Sequence, residues 1–198
     1  MRQFNGYKPA RQVSSEPLPA GGYVAKIIKA EIRQTQWGEK LILSFDIADG
    51  PYKDFFANQY LNNPNEDKKW KGVYRLSVPA DDGSEQDERN KRTFNGAIWA
   101  VEDSNMGYHF NWDERTLVGK FVGVLYRNKE WEMNGRTGWT TECCALESAT
   151  NVREGKFKMP KDKPLPQKND SYGDYGASTG SSGNWVEVPG SLDDKLPF

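Results

Sequence analysis

The chain is poor in aliphatic residues, in cysteine and in histidine. Of its 198 residues only 36% are hydrophobic, low for a protein that is globular throughout. Part of it is therefore expected outside any core. The two cysteines, Cys143 and Cys144, are adjacent. Strand neighbours point to opposite faces, which disfavours a bond between them, and the usage is that of a reduced, cytoplasmic chain. The one histidine, His109, lies between Tyr108 and Phe110 and is expected as a packed side chain. With two adjacent thiols it gives no metal-ligand spacing. A glycine-rich phosphate loop is absent. The acidic pairs Asp81-Asp82, Asp87-Glu88 and Asp113-Glu114 read as loop residues rather than carboxylates converging from strands. The expectation is no enzyme, no metal and no cofactor. No stretch approaches the roughly 20 apolar residues of a membrane span. Met1 to Glu16 is polar, without the apolar run of a signal peptide.

What the chain does have is aromatic. Seven Trp, nine Tyr and nine Phe make up 13% of it, more than a core of this size needs, so some rings are expected on a surface. The net charge of -1 hides an asymmetry. Residues 1–168 carry 26 basic against 23 acidic residues, a net of +3, and residues 169–198 carry one Lys against five acids, a net of -4. A mildly basic body joined to an acidic tail is a pattern for binding partners, not a fold signal.

Residues 1–20 read as an N-terminal arm, with Pro9, Pro17 and Pro19 blocking regular structure. Residues 21–160 read as one β-rich domain. Tyr23 to Ile32 and Lys40 to Ala48 alternate as strands, the second with Leu41, Leu43, Phe45 and Ile47 on one side. Tyr52 to Leu61, rich in aromatics, predicts a third strand. Asn63-Pro64 followed by Trp70, Val73 and Tyr74 predicts a short helix over 65–76, these three residues serving mainly the core. A charged loop over 80–90 and a helix over Thr93 to Glu102, with Phe94, Ala97, Ile98 and Val101 on one face, come next, and Gly107 ends the helix. Asn134-Gly135 is a strong hairpin signal, so Lys120 to Leu146 reads as a β-hairpin. Val152 to Met159 suggests a last short strand. From 161 the composition turns to Lys, Pro, Ser and Gly, giving a disordered linker over 161–190 and an acidic tip over 191–198. The fold class expected is mainly β with inserted helices, an OB-fold-like five-stranded barrel with a disordered acidic C-terminal tail.

Two constellations carry function. One interleaves aromatic and basic residues: Arg33, Trp37 and Lys40 at the first link; Tyr52 and Lys53; Lys69, Lys71 and Arg75 in the densest basic run; Arg127, Lys129, Trp131, Arg136 and Trp139 around the hairpin turn. Every base has a π-face, so rings on a strand surface can stack any sequence, at roughly 1–3 kcal/mol per base. Neighbouring cations neutralise phosphates and make binding salt-dependent. The bland alternative is that aromatics suit strands and Lys runs are solvated. Trp37, Trp131 and Trp139 escape it best, because each lies near a turn with charged neighbours. Glu130 and Glu132 interrupt the hairpin's basic character.

The other constellation is the tip, Asp193-Asp194-Lys195-Leu196-Pro197-Phe198. It joins an acidic step to an apolar plug that Pro197 stiffens, which reduces the entropy lost on docking. It resembles the C-terminal tip of bacterial single-stranded DNA-binding proteins, which reads Asp-Asp-Asp-Ile/Leu-Pro-Phe, and departs from it at Lys195. The body, through Glu102-Asp103-Ser104-Asn105 and Leu117-Val118-Gly119-Lys120, resembles a group of phage and mobile-element proteins from Gram-positive hosts described as single-stranded-DNA binding. These resemblances imply a protein of the bacterial host cytoplasm. It would coat single-stranded DNA in replication or recombination and recruit partner proteins of those processes through Asp193, Asp194, Leu196, Pro197 and Phe198. A homo-oligomer stays open, and no membrane partner is expected. The rivals are an adaptor that binds only proteins, docking on host replication factors, and a metal-dependent nuclease.

Overall fold

The computed structural model describes residue 2 and residues 16–166. The rest of the arm, the linker from 167 and the tip lie outside the described residues. Five strands, β1 (Gly21–Thr35), β2 (Gly38–Ile47), β3 (Val73–Ser77), β4 (Phe121–Met133) and β5 (Arg136–Glu147), form one antiparallel sheet in the order β3-β2-β1-β4-β5. Helices α1 (Phe55–Leu61), α2 (Glu85–Asp103) and α3 (Ala149–Arg153) are inserted around it. The protein is thus mainly β with helices, as the alternation of β2 and the hairpin predicts. The sheet is open, since no ladder joins edge strands β3 and β5 among the described residues, although the two approach one another.

β1 holds the sheet together. Its first half pairs with β4 (Gly21↔Tyr126 to Lys26↔Phe121), and from Ala25 onward it also pairs with β2 (Ala25↔Ile47 to Thr35↔Gly38), that ladder being broken by a bulge at Ile28. Leu41, Leu43, Phe45 and Ile47 of β2 are buried against Val122 and Val124 of β4 and against Phe94, Ala97 and Val101 of α2. Burying such side chains contributes about 1.5–3 kcal/mol each. α2 crosses from the β3 end of the sheet to the start of β4. The segment behind the body resemblance fixes its C-terminus. Glu102 accepts from the Phe110 amide (2.7 Å), Asp103 from the Ser148 hydroxyl (2.5 Å), and Ser104 from the Ala149 amide (2.8 Å). The Asn105 side chain exchanges two hydrogen bonds with the Phe121 backbone (2.8 and 3.0 Å). Downstream, the Gly119 amide donates to the Ile27 carbonyl and the Ile27 amide to the Lys120 carbonyl, where β1 bulges. These motif residues build the frame.

Several expectations are corrected. Tyr52 to Leu61 is a turn and helix α1, because the Asp46 carboxylate on β2 accepts from the Phe56 (2.9 Å) and Ala57 (3.0 Å) amides and so satisfies the helix's first donors. Residues 65–76 hold no helix. Val73–Ser77 pairs with β2 as β3, burying Tyr74 and Leu76 on one side, and the Trp70 indole N–H donates to the Phe45 carbonyl (3.0 Å). α2 starts within the supposed charged loop. Ser84 caps it by accepting from the Asp87 amide (3.1 Å), with Glu85, Asp87 and Glu88 in its first turn, and it ends before Gly107. Val152 to Met159 holds no strand; its start belongs to α3 over 149–153, capped by Ser148. The arm is core by Leu18, which is buried. The linker begins later than 161, since Lys163 exchanges backbone hydrogen bonds with Asn128 and Glu130 of β4. His109 is exposed, with its ring 3.8 Å from the Glu102 carboxylate.

Candidate nucleic-acid interface

Between the edges of β3 and β5 lies a cavity of about 670 Å³, within the range of ligand sites. One wall carries Lys71, just before β3, and Arg75. The other carries Trp131, Trp139 and Glu142, and Tyr74 and Tyr126 border the inside. The hairpin fixes the second wall. Asn134 and Gly135 both take positive φ (51° and 73°), setting the register Trp131↔Gly138, Glu130↔Trp139 and Arg127↔Glu142. Gly138 makes room for the ring, because a Cβ on it would meet the Trp131 indole at 2.8 Å and force it to shift. Trp131 is 37% exposed and Trp139 54%.

The cavity's charge is positive. Lys71 and Arg75 are exposed and have no ion-pair partner among the described residues. Glu142 is the one carboxylate among the described lining residues, and it is clamped between Arg127 (2.7 Å) and Lys129 (2.8 Å). Burial by itself would raise its carboxyl. Hydrogen bonds and charge from Lys129 and Arg127 outweigh that and hold it below its ordinary value. Lys71, Arg75, Trp131 and Trp139 thus meet at one site, with Arg127 and Lys129 joined to it through Glu142. Glu142 is missed from sequence alone, although counting outward from the Asn134-Gly135 turn sets it opposite Arg127.

The other sequence-predicted residues lie elsewhere. Tyr52 and Lys53 line a neighbouring depression of about 290 Å³, which shares Phe55 and Gln59 with the main cavity. Tyr52 packs edge-on against Tyr23 and Phe55. Trp37 is 80% exposed at the β1–β2 turn. Beside it Arg33 is paired with Glu31, and Lys40 donates to the Ser77 hydroxyl (2.6 Å). Lys69 and Arg136 are exposed and border neither cavity. Trp99 and Trp112 are exposed as well, Trp112 stacked on Phe94, and they too border neither. Both cysteines are free thiols. Among the described residues no cluster of three or more His, Cys, Asp or Glu could hold a metal ion, and no helix is long and apolar enough to cross a membrane.

The sheet order and the position of α2 set the comparison in place. Residues 6–102 match one family model. It is described as a protein of unknown function (DUF669). The similarity spans β1, β2, α1, β3 and almost all of α2, and stops before β4 and β5. It therefore takes in the Lys71 and Arg75 wall and leaves out the Trp131 and Trp139 wall. No curated protein matches the chain.

Proposed function

We propose that this protein binds single-stranded DNA without chemistry, in the cavity between β3 and β5. The observation that carries the reading is the pairing of exposed indoles, Trp131 and Trp139, with Lys71 and Arg75, cations without an ion-pair partner among the described residues, across one trough whose one carboxylate among the described lining residues is already neutralised. Indoles stack unpaired bases of any sequence, and the cations meet the phosphates. The strand order supports it. The neighbours β1-β2-β3 and β5-β4-β1, with α2 between β3 and β4, are compatible with an OB-like reading of the fold, in which the open β3 and β5 edges would form the strand-binding side. In OB-type barrels the β1–β2 and β4–β5 loops flank the bound strand. Here those loops carry Trp37 and Asn134-Gly135. Trp37, Arg33 and Lys40 would extend the path at one end, and Tyr52 and Lys53 would continue it through the adjoining depression.

The tip, Asp193 to Phe198, completes the reading. Its acids and its Leu-Pro-Phe plug would dock on replication or recombination proteins, and the segment before it would raise their local concentration at coated strands. This is the part expected of a phage or mobile-element protein acting in a bacterial cytoplasm. The adaptor reading keeps the tip and denies the trough. Titrating the full chain with oligothymidylate while following Trp fluorescence separates the two. The expected result is quenching that weakens as salt rises, with Trp139→Ala binding about tenfold more weakly. Unchanged fluorescence, with no strand retained at low salt, would leave the adaptor.

A further inference from the structure

The cavity is bordered by two buried tyrosines whose hydroxyls no described residue satisfies. Tyr74 and Tyr126 are 8% and 4% exposed and both border the cavity. Neither hydroxyl has a hydrogen-bond partner among the described residues. Other tyrosines do have one: the Tyr23 hydroxyl donates to the Pro19 carbonyl, and that of Tyr108 bonds Thr116. Buried hydroxyls without partners are uncommon and costly. Neither of these two oxygens is sealed from solvent, and both side chains line the cavity. The Tyr126 ring cannot swing away, packed as it is between Phe56 (6.4 Å, near-parallel) and Tyr23 (6.0 Å, edge-on). Burial pushes the Tyr74 phenol up to about 12 and that of Tyr126 higher still, so both keep their protons at any working pH.

The nearby acceptors are engaged elsewhere, beginning with the Asp46 carboxylate, whose charge helps to raise the Tyr126 phenol and which accepts from the amides of Ile47, Phe56 and Ala57. The Thr141 hydroxyl donates to the Leu18 carbonyl and the Cys143 thiol to Ala145, and Glu142 is held by Arg127 and Lys129. The floor therefore offers two phenolic donors, with Lys71 and Arg75 on the facing wall. A base that presents carbonyl acceptors suits it. Thymine has two, whereas adenine has no carbonyl and accepts only at its ring nitrogens.

We propose that this floor is a base-insertion subsite, taking one unstacked thymine from the bound strand while Trp131 and Trp139 stack its neighbours. The proposal rests on the reading of the trough as a single-stranded DNA site. It adds a base preference that stacking on indoles alone does not supply.

The test compares fluorescein-labelled oligothymidylate and oligoadenylate of equal length by anisotropy, with the full chain and with the double variant Tyr74→Phe/Tyr126→Phe. Wild type is expected to prefer oligothymidylate. The variant should lose about tenfold on that strand alone, and its melting temperature without DNA should hold or rise, because an unsatisfied hydroxyl has been removed. An unchanged preference in the variant, with both strands still bound, overturns the subsite and leaves the trough reading standing. Equal losses on both strands with a lower melting temperature assign the hydroxyls a structural role and also overturn it. Wild type that binds neither strand overturns the trough reading and the subsite together.

Discussion

At the residue scale the decisive side chain is Glu142. It is the acid that a phosphate-binding trough ought to exclude, and it is tolerated because two cations already hold it. Its Arg127 and Lys129 partners are thereby spent on a protein carboxylate rather than on a phosphate. Glu142→Gln should release them. The expected outcome is tighter binding of oligothymidylate and a steeper dependence on salt, by up to about two more counterions released, measured as the slope of log affinity against log salt concentration. Acid should act in the same direction on that pair. The folded-state value of Glu142 is depressed from the ordinary 4.5, so the clamp's contribution to stability is fully present above that value. It is lost as pH falls through the depressed one. The Gln variant should therefore be less sensitive than wild type to acid unfolding in that window.

At the scale of elements, the instructive case is α1. Its segment, from Tyr52 to Leu61, has the aromatic content of a strand, and propensity favours one. A single buried carboxylate on β2 decides otherwise. Asp46 collects the amides of Phe56 and Ala57, along with that of Ile47. Asp46→Ala should cost about 1–2 kcal/mol of stability, near the upper end for losing a helix cap, with the loss read from denaturant unfolding. The strands whose patterns are local were legible: β2 by alternation, and β4 and β5 by the Asn134-Gly135 turn. β3 was not. Trp70, Val73 and Tyr74 have helical spacing, and only pairing with β2 makes them strand residues. The start of α2 was overlooked although Ser84 and Asp87 carry a capping signature, because the acids around them read as a solvated loop. Of the site, Trp131 and Trp139 were legible through their closeness to a turn. Lys71 and Arg75 were legible as charge, and that they face those indoles follows only from the sheet order. Tyr74 reads as core and Tyr126 as one more strand residue, because nothing in a sequence tells a satisfied hydroxyl from an orphan one.

At the scale of the molecule, body and tip are expected to do separate work. Removing residues 193–198 should preserve or tighten binding to oligothymidylate, since it takes away two acids and one base from a net charge of -1, while abolishing co-purification of replication or recombination proteins with DNA-bound chain. Strand binding that weakens on this deletion would count against a trough that works by itself.

The two walls of the trough stand at opposite ends of the sheet, one at β3 and one on the β4–β5 hairpin, and they are joined within the sheet through β2, β1 and β4 and outside it by α2, which touches both edges. The aperture therefore depends on the curvature of the intervening strands and on the helix packed across them, much as the gap of a split ring is set by the curvature of the metal. A substitution beneath the β1 bulge at Ile28 could alter that gauge without touching any lining atom. Screens for altered strand affinity should thus return changes on the far side of the sheet as well as around the indoles.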